Sequence, residues 1–474
     1  MSESNVDTRE ISARRVVGFA CNQTFSFMLL YASSTSVALQ QDLPFNRALP
    51  FFILLSAFIC FLAIRLFSPR SFSRLFSRAL LYVYAAAMAA GALAFFKLGS
   101  MVWIQIIGCV FVGIPYALLL LAWGKTFGRL SMRDSVPEVF VGTLVAAFIC
   151  LLFQLAGDSV LGIAVICLLP IASVVNIDVP KEEEIPQSIA LETEGSQVRM
   201  LSSKILTGTV FYGISAGLLG TNLEPASRTE PMMVCMVLLG SFLIGALSLE
   251  LSDGFGRGAA LNKAYKLTVA MMLIGVFLVP MSFFADSVMP GEAFSLAGYL
   301  GLEAVLISLF LVMGKLTETD ASYTFLLGFS ALFAGEAFGI LVSHPVRIVF
   351  QSSVIQTSEI SYIVAFLAGI LVLVSYLFLF TDRDFGELSQ IVKANDSFED
   401  VCSDISTNFG LSSRESEILA FALRGRTSDR IAQELVISKS TVDTHLRRIY
   451  GKTGVHSRQE LLDLAEITRK RGEK

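Results

Sequence analysis

The chain has 474 residues, of which 54% are apolar and only 16% are charged, and its mean hydropathy is +0.67. Soluble domains carry about 25% charged residues, so this composition excludes an ordinary soluble protein and favours one that spans a membrane several times. The formal net charge of −4 excludes no class of partner, because acidic and basic residues occupy different parts of the chain.

The cysteines and other reactive side chains do not form the pattern of a catalytic or metal-binding site. The seven cysteines contain no C-x-x-C pair, and six of them lie in apolar stretches, where they are expected to pack as small apolar residues. The sequence also shows no nucleotide-binding motif and no nucleophile beside a base. We therefore expect a protein that is not an enzyme and that holds no cofactor and no metal.

Twelve apolar stretches approach the length of about 20 residues that a helix needs to cross the hydrocarbon core of a bilayer. The first is interpreted as a retained helix, because no small-residue cleavage pattern follows it. The predicted spans are 16–37, 49–67, 79–96, 100–123, 138–156, 159–176, 203–220, 232–250, 266–284, 294–313, 322–342 and 360–380. The sequence therefore predicts an all-α polytopic membrane helix bundle over residues 16–380, preceded by a polar N-terminal segment, 1–15.

The distribution of Lys and Arg predicts the orientation of this bundle. When segment 1–15 is placed in the cytoplasm, basic residues in the inside segments outnumber those in the outside segments by about four to one. An even number of spans then returns the C-terminus to the cytoplasm. We expect a multi-pass protein of the bacterial inner (cytoplasmic) membrane with both termini cytoplasmic.

The spans divide into six and six around the longest predicted loop, residues 177–202. Between spans eight and nine the sequence reads SDGFGRG, in which Asp253, Gly256 and Arg257 have the spacing of a D-x-x-G-R motif. These features resemble the major facilitator superfamily, although the corresponding loop of the first half, RLFSPRSFSRLFSR, lacks the motif. The resemblance implies a six-plus-six helix bundle and leaves transport open.

A polar segment separates the bundle from a chemically different tail. Residues 381–410 are predicted to form a linker, which is either flexible, with a root-mean-square span of roughly 30 Å, or partly helical. The tail, residues 411–474, is polar and basic and is predicted to be a separate small domain.

The tail carries the signals of four short helices. Ser412-x-x-Glu415 and Ser457-x-x-Glu460 have the spacing of capping boxes, in which a hydroxyl and a carboxylate satisfy backbone N–H groups at a helix start. Apolar residues recur between them at helical spacing. They are Ile418, Leu419, Ala422, Leu423, Ile431, Ala432, Leu435, Val442, Leu446, Ile449, Leu461, Leu462 and Leu464. These residues are predicted to form the core of the domain.

The middle two helices are separated by a short turn. Gly425 is predicted to end the first helix, and Thr427 or Ser428 to cap the second. Residues 436–438 form the turn, and Ser438 caps the third helix. A helix, a turn of three to four residues and a second helix with one basic face is the helix-turn-helix pattern of DNA-binding proteins.

The tail resembles the C-terminal four-helix DNA-binding domain of LuxR-type regulators. The residues that carry this resemblance are Leu411, Arg414, Glu415, Glu417, Ile418, Leu419, Gly425, Ile431, Ala432, Leu435, Ser438, Thr441, Val442, His445, Ile449, Tyr450, Lys452, Gly454, Val455 and Arg458. The resemblance covers only about an eighth of the chain. It implies that the third helix enters the major groove of double-stranded DNA and that the fourth supports a homodimer on the DNA.

The resemblance also assigns roles to residues of the basic face, which would otherwise be an ordinary solvated face. Asp443, Thr444 and Arg447 occupy groove-facing positions, where an arginine pairs with guanine O6 and N7. Asp443 departs from the family, which often has Lys or Arg there; it either accepts from cytosine N4 or repels phosphate. The residues assigned to phosphate are Lys439, Ser440, Thr441, Arg448, Lys452 and Arg458, with Thr427 and Ser428 at the second helix N-terminus. His445 is expected to pack or to bond the backbone.

Several polar side chains fall inside predicted spans, where charged groups are costly. Glu303 lies in the tenth span and Glu336 in the eleventh, while Asn22 and Gln23 interrupt the first. They are expected to face the bundle interior, where they either contact a small-molecule ligand or a proton, or form hydrogen bonds between helices. These four residues are the candidate ligand site.

Three functions fit these features. The first is a membrane-embedded one-component transcription regulator, whose bundle senses a small molecule or a membrane signal and controls the cytoplasmic helix-turn-helix. The alternative is a major-facilitator-like transporter with a regulatory DNA-binding tail, and the third is a passive membrane tether. A phosphorelay receiver is disfavoured, because no soluble acidic-pocket domain precedes the linker. The expected partners are double-stranded DNA, the lipid bilayer, a small-molecule effector and a second copy of the chain.

Overall fold

A computed structural model of the chain describes the residues that form its regular elements and the tail. The described residues are 12–31, 49–67, 73–97, 102–130, 132–156, 159–178, 195–222, 230–253, 259–278, 291–316, 320–351, 357–379, 381, 384, 398 and 401–472. Within them the regular elements are all helices, which confirms the predicted all-α class.

Each predicted span overlaps one helix of a compact N-terminal unit, and residues 32–37, 100–101, 279–284 and 380 of the predicted spans lie outside the described residues. Its described α-helices are α1 (Ala13–Ser26), α2 (Leu49–Phe67), α3 (Arg78–Lys97), α4 (Val102–Gly128), α5 (Met132–Ala156), α6 (Ser159–Val175), α7 (Gly195–Asn222), α8 (Glu230–Asp253), α9 (Ala259–Leu278), α10 (Gly291–Leu316), α11 (Ala321–Gln351) and α12 (Thr357–Val374). Among the described helices, six are long and apolar enough to cross a membrane, judged by length and composition. Twelve membrane spans therefore remain a prediction.

The helices pack as two halves with the same internal pattern. In the first half α1 contacts α5 and α6, while α3 contacts α4 and α6. Adding six to each number gives the contacts of the second half, where α7 contacts α11 and α12, and α9 contacts α10 and α12. The halves meet through α2 with α11 and α5 with α8. This internal repeat agrees with the predicted six-plus-six division.

Glycines allow α7 and α11 to approach each other at backbone distance. A Cβ atom added at Gly217 would lie 2.1 Å from the backbone oxygen of Glu336, and one added at Gly213 would lie 2.9 Å from its nitrogen. In return, a Cβ atom at Gly335 or Gly339 would lie 2.3 Å from a backbone oxygen of α7. Small residues permit this close contact in bilayers, where dispersion between helices drives their association.

A buried ion pair fixes the start of α1 on α5, and the sequence analysis did not identify it. Arg15 donates from Nε and Nη2 to the two oxygens of Glu138 at 2.7 and 2.6 Å, and the backbone N–H of Ser12 donates to the same carboxylate at 2.9 Å. Glu138 is fully buried, so its charge needs these donors.

The tail forms a second compact unit with its own core. Its helices are α13 (Ser413–Leu423), α14 (Ser428–Glu434), α15 (Lys439–Thr453) and α16 (Arg458–Gly472). The predicted apolar residues are buried in one cluster or packed against it, except Leu462 and Leu464, which are partly exposed. Val401 and Ile405 of a helical segment, 401–408, also belong to this core. The core therefore begins before the predicted boundary at 411, inside the segment predicted as linker.

The helix caps of the tail largely follow the predictions. Ser412 and Glu415 form the predicted capping box at the start of α13, and Gly425 follows that helix with a φ of +83°. At the start of α16, Ser457 accepts from the N–H of Glu460 at 3.2 Å, but the carboxylate accepts from the N–H of His456 instead of the cap residue. The second box is thus formed only on one side.

The capping carboxylate of α13 also ties two helices together. Glu415 accepts from Lys452 Nζ of α15 at 2.7 Å, and the same ammonium donates to the carbonyl of Gly410 at 2.9 Å. The Lys452 hydrogen bond, followed by the N–H of Ser412, lowers the pKa of Glu415 to about 2. The carboxylate is thus held ionised in the folded domain.

We expect Gly217→Val to disrupt the bundle, because the new side chain would collide with the backbone oxygen of Glu336. Overpacking of this kind typically costs about 1–3 kcal/mol, and here no flexible side chain is available to move. Thermal unfolding of the full chain in detergent should show a lowered midpoint. Gly245→Val on α8 is the matched control, since a Cβ atom there meets nothing within 4 Å. Equal midpoints for both variants would contradict the close α7–α11 contact.

Glu415→Gln should lower the free energy of unfolding of the tail domain by about 2 kcal/mol at pH 7, because hydrogen bonds to a charged group are lost. Since the folded pKa of about 2 lies below the unfolded value of about 4.3, the wild-type contribution is present above pH 4.3 and disappears as pH falls towards 2. Urea unfolding of residues 396–474 from pH 7 to 2.5 measures both effects.

The matched control for this measurement is Glu417→Gln. Glu417 pairs with Arg414 at 2.6 Å on the exposed face of α13, where such pairs contribute at most about 1 kcal/mol. A loss of stability below pH 4.3 that is as steep in Glu415→Gln as in the wild type would show that another carboxylate is responsible.

Candidate functional site

The helix-turn-helix of the tail is built from α14, a short turn and α15. Thr427 caps α14 by accepting from the N–H of Arg430 at 3.4 Å, and Ser438 caps α15 by accepting from the N–H of Thr441 at 3.1 Å. Val436 in the turn has a left-handed φ of +52°, which is rare for a β-branched residue. Its side chain is 78% exposed, so no neighbouring side chain crowds it. The predicted turn and caps are therefore confirmed.

The apolar face of α15 is buried and leaves the opposite face open. Val442 and Ile449 are fully buried, and Leu446 lies between them on the same face. The predicted DNA-contacting residues with exposed side chains are Thr427, Lys439, Ser440, Thr441, Thr444, Arg447, Arg448 and Lys452. Those with partly exposed side chains are Ser428, Asp443 and Arg458. The geometry thus presents most of the predicted residues to solvent.

Arg447 and Arg448 are the basic residues of α15 that are most available to a ligand. Both are exposed, and neither has a hydrogen bond or ion pair with another residue of the described ranges. An unpaired guanidinium presents five N–H donors in a planar fork, which matches phosphate oxygens or the O6 and N7 atoms of guanine. Binding an anion at these two residues would break no internal bond.

The start of α15 carries a network of hydroxyl groups and one exposed ion pair. Ser438 Oγ lies 2.7 Å from Ser440 Oγ and 2.8 Å from Thr441 Oγ1. Lys439 donates to Asp429 at 2.7 Å, which raises the pKa of the lysine, and Asp443 adds a weaker attraction. Because the ion pair is exposed, a phosphate can compete with Asp429 for Lys439.

Two residues predicted to contact phosphate also have internal partners. Lys452 bonds Glu415 and Gly410, as described above. Arg458 of α16 donates from Nη2 to the carbonyl of Ala422 at 3.0 Å and to the carbonyl of Arg426. These bonds hold α15 and α16 to the two ends of α13. The sequence pattern alone could not predict these internal bonds. A basic residue on a polar face can bind a carbonyl or carboxylate of its own domain as well as a phosphate.

His445 lies on a partly buried face of α15. Its Nδ1 atom is buried and has no hydrogen-bond partner among the described residues. This placement agrees with the packing role expected for His445, and Nδ1 does not form the alternative bond to the backbone.

In the bundle, the candidate residue Glu336 joins three elements. Its carboxylate accepts from Tyr299 of α10 at 3.0 Å and from Tyr31, in the π-helical segment Phe27–Tyr31 after α1, at 3.2 Å. The two tyrosine rings meet edge to face, with centroids 6.0 Å apart. The sequence analysis missed both tyrosines. Only Tyr299 had a visible signal, because it precedes Glu303 by four residues on one face of α10.

The structure brings the other three candidate residues into the buried interior of the bundle. Glu303 is buried close enough to Glu336 to interact electrostatically, and Gln23 lies against Glu303. Asn22 and Gln23 are fully buried, and their amide atoms make no hydrogen bond of normal geometry with the described residues. The site therefore combines two carboxylates, hydroxyl donors and unsatisfied amides. The SDGFGRG motif contributes nothing to this description, since residues 254–258 lie outside the described ranges.

Sequence comparison identifies the tail. Residues 410–465 match the family model described as "Bacterial regulatory proteins, luxR family". The chain is 44% identical over 62 residues to the Fimbriae Z protein of Escherichia coli (strain K12), covering 13% of this chain and 30% of that protein. It is 39% identical over 56 residues to the HTH-type transcriptional regulator MalT of Serratia proteamaculans (strain 568), covering 12% and 6%. The chain thus spans less than a third of either relative.

Structural comparison identifies the fold of the bundle. The proton:xylose symporter XylE bound to 6-bromo-6-deoxy-D-glucose superposes with a TM-score of 0.52 at 14% identity, covering 81% of this chain and 99% of that chain. A bacterial homologue of the iron transporter ferroportin in an outward-facing state gives 0.52 at 12% identity, covering 80% and 98%. The superpositions establish a shared fold, and the low sequence identities leave the activity open. The chain therefore combines a helical membrane domain of the major facilitator fold with a LuxR-type helix-turn-helix domain at residues 410–465.

Proposed function

We propose that the protein is a one-component transcription regulator of the bacterial inner (cytoplasmic) membrane, with both termini in the cytoplasm. Its bundle senses a small molecule or a membrane signal and controls the helix-turn-helix domain. The observation that carries this proposal is a LuxR-type domain whose α15 presents arginines unpaired within the described residues, in the same chain as a membrane domain with a buried polar site. The charge asymmetry of the loops supports the orientation.

The partner proposed for the tail is double-stranded DNA. Arg447 and Thr444 read base edges in the major groove, and Asp443 restricts which bases are accepted. Phosphates contact the exposed residues around the start of α15 and Arg448. Those residues are Thr427, Ser428, Lys439, Ser440 and Thr441. Lys452 and Arg458 contact phosphate as well, while their internal bonds position α15 and α16. A second copy pairs through the C-terminal domain, as expected from the LuxR-type resemblance.

The link from the bundle to the tail starts at a partly buried ion pair. Lys204 of α7 donates to Asp384 at 2.7 Å, and the other carboxylate oxygen accepts from the N–H and the hydroxyl of Thr381 at 2.8 Å each. The Asp384 side chain is only 5% exposed. Thr381 and Asp384, which follow the end of α12, are therefore held to α7 and are proposed to move with it.

Further bonds along the same face of α7 hold α12. Ser215 donates to the carbonyl of Ala368 at 3.1 Å, and Ser375 donates to the carbonyl of Gly208 at 3.3 Å. Lys204, Gly208 and Ser215 are separated by four and seven residues, so they form one stripe along the helix. This stripe couples α7 to the end of α12 and to the chain that leaves it.

The opposite contact of α7 reaches the candidate ligand site. Gly213 and Gly217 touch the backbone of α11 at Glu336, the residue whose carboxylate lies in the polar site. A ligand that displaces α11 at this point displaces α7 as well, because interfaces packed at backbone distance do not deform gradually. We therefore propose α7 as the element through which the site biases the tail. Such a bias requires a ligand that binds one bundle state better than another.

The alternative function is a transporter whose DNA-binding tail is regulatory, and the major facilitator fold favours it. The named transporters share that fold at 14% identity or less, so their activities are properties of those proteins. A transporter requires solute flux across the membrane, whereas a regulator that only senses its ligand does not. Proteoliposomes that contain the full chain distinguish them, since a gradient-driven flux of any solute in a broad panel would establish transport.

Arg447→Ala should weaken the sequence preference of the tail, and Arg448→Ala should leave it intact. Residues 396–474 include the whole described core, so they can select preferred duplexes from a random pool. Loss of a bidentate contact to guanine costs about 1–3 kcal/mol of discrimination, whereas loss of one phosphate contact weakens all sequences alike and reduces the salt slope by about 1. Gel-shift titrations at several salt concentrations measure both quantities.

Arg447→Lys is the control that retains the positive charge but lacks the planar fork. It should bind DNA with altered preference. If the wild-type domain shows no preferred sequence at any salt concentration, specific DNA reading is wrong, whatever the variants do.

Lys204→Ala and Asp384→Ala should change reporter expression from a selected promoter to a similar extent. Each breaks the bond between α7 and the chain after α12, and a shift of about 1.4 kcal/mol in a two-state equilibrium changes the population ratio tenfold. Neither residue belongs to the tail, so DNA binding by residues 396–474 is unaffected. The exchanged pair, Lys204→Asp with Asp384→Lys, should recover part of the wild-type output. Wild-type expression from both single variants at equal protein level would favour passive tethering.

A further inference from the structure

Among the described residues, Glu303 and Glu336 differ from the other buried acids of the bundle in having no basic partner. Glu138 is neutralised by Arg15, and Asp384 by Lys204. Among the described residues, no Lys or Arg is buried in the bundle interior, and the groups in contact with the two glutamates are tyrosine hydroxyls and an amide. The pair is therefore an uncompensated acidic site.

Holding two carboxylates together in a buried, low-dielectric site is costly unless positive charge accompanies them. Glu303 and Glu336 interact electrostatically, so negative charges on both would repel each other, and the cost of removing each charge from water adds to this. Two sources of positive charge are available: protons, or a cationic ligand that enters the site. The groups around the two carboxylates indicate whether the site favours protons or a cationic ligand.

Buried polar atoms around the carboxylates remain unsatisfied. The fully buried amide of Gln23, which lies against Glu303, makes no hydrogen bond of normal geometry with the part of the chain that the structure describes, and the same holds for Asn22 one residue earlier. Buried amides normally find partners, because leaving one unpaired costs about 1–3 kcal/mol. Asn22 lies one helical turn before Ser26, and Ser26 lies beside Tyr116. Tyr116 in turn interacts electrostatically with both glutamates. The oxygens of these amides can accept hydrogen bonds from a ligand that carries N–H donors.

Aromatic rings surround the acidic pair. Tyr31 and Tyr299 meet edge to face beside Glu336. Tyr116 stacks on Phe333 with centroids 6.2 Å apart, and Phe333 lies one turn before Glu336 on α11. Aromatic faces attract organic cations through their quadrupole, most strongly where water is excluded. Rings also provide apolar surface for the carbon skeleton of a ligand.

We propose that the effector of this protein is a protonated organic amine, bound between Glu303 and Glu336 with its carbon skeleton against the tyrosines. The ammonium group offers three N–H donors, which match two carboxylates and the amide oxygen of Gln23. This inference rests on the proposed function only in naming the ligand an effector; the binding itself does not depend on DNA.

The test measures ligand binding by the full chain in detergent without DNA. The probes are benzylammonium, 2-phenylethylammonium and hexylammonium, with benzyl alcohol and benzoate as the neutral and anionic counterparts of the first. At least one amine should raise the thermal unfolding midpoint in a saturable way, because a ligand that binds only the folded state stabilises it. Benzyl alcohol and benzoate should leave the midpoint unchanged.

Glu303→Gln and Glu336→Gln should each weaken the apparent affinity for the stabilising amine by about tenfold or more, because a buried charge partner is lost. Glu292→Gln is the matched control, since Glu292 precedes Glu303 by eleven residues on α10 and lies roughly 16 Å away along the helix. Tyr299→Phe keeps the ring but loses its bond to Glu336, and it should weaken binding by a smaller factor.

Three results would overturn the proposal: no shift with any amine, an equal shift with benzyl alcohol, or full amine affinity in both glutamine variants. The comparison of amine with alcohol uses the wild-type chain, so it decides the matter even if the glutamine variants fail to fold. Amine binding without any effect on a promoter reporter would refute the regulatory function and leave the ligand class standing. A sequence-specific tail with no amine binding would do the reverse.

Discussion

The contact between α7 and α11 at backbone distance is the constraint on which the proposed signalling depends. At Gly213 and Gly217 nothing separates the two helices except their own main chains. A larger residue would place a flexible side chain there and would absorb small movements of either helix. Because the glycines exclude that, the position of α11 at Glu336 determines the position of α7. The polar site and the chain that leaves α12 are thus joined by one rigid helix.

The tail depends on a different kind of interaction. It has an apolar core to which all four helices contribute, and ionic hydrogen bonds at its edges add further contacts between the helices. Glu415 and Lys452 fix α15 to the start of α13, while Arg458 fixes α16 to its end. The residues that carry the LuxR-type resemblance therefore include ones that hold α15 and α16 in place.

The sequence predicted the positions of the helices well because length and hydrophobic spacing determine them locally. The caps at Ser412, Thr427 and Ser438 follow from the chemistry of single residues, and so does the break at Gly425. The missed features all require knowledge of which helices are neighbours. Lys204 and Asp384 are 180 residues apart, and Tyr31 and Glu336 are 305 apart, so no spacing rule connects them.

The predicted linker is a case in which a local sequence pattern was too short to predict a helix. Residues 401–408 are polar enough to suggest a connection between domains, yet Val401 and Ile405 are spaced by one helical turn and are buried in the tail. A two-residue apolar pattern is too short to indicate a helix by itself. The pattern can be interpreted only when the apolar core against which Val401 and Ile405 pack is known.

The inclusion of Val401 in the tail core and of Asp384 in the bundle limits how far the DNA-binding domain can travel. Seventeen residue steps separate these two anchored positions, and a fully extended chain of that length spans about 60 Å. For the proposed regulator, the search for a promoter is then confined to a thin layer beneath the bilayer. Two copies can meet on one operator only after diffusing together in the plane of the membrane. The encounter rate would therefore depend on the surface density of the protein and on how often the chromosome approaches the membrane, and not on its concentration in the cytoplasm.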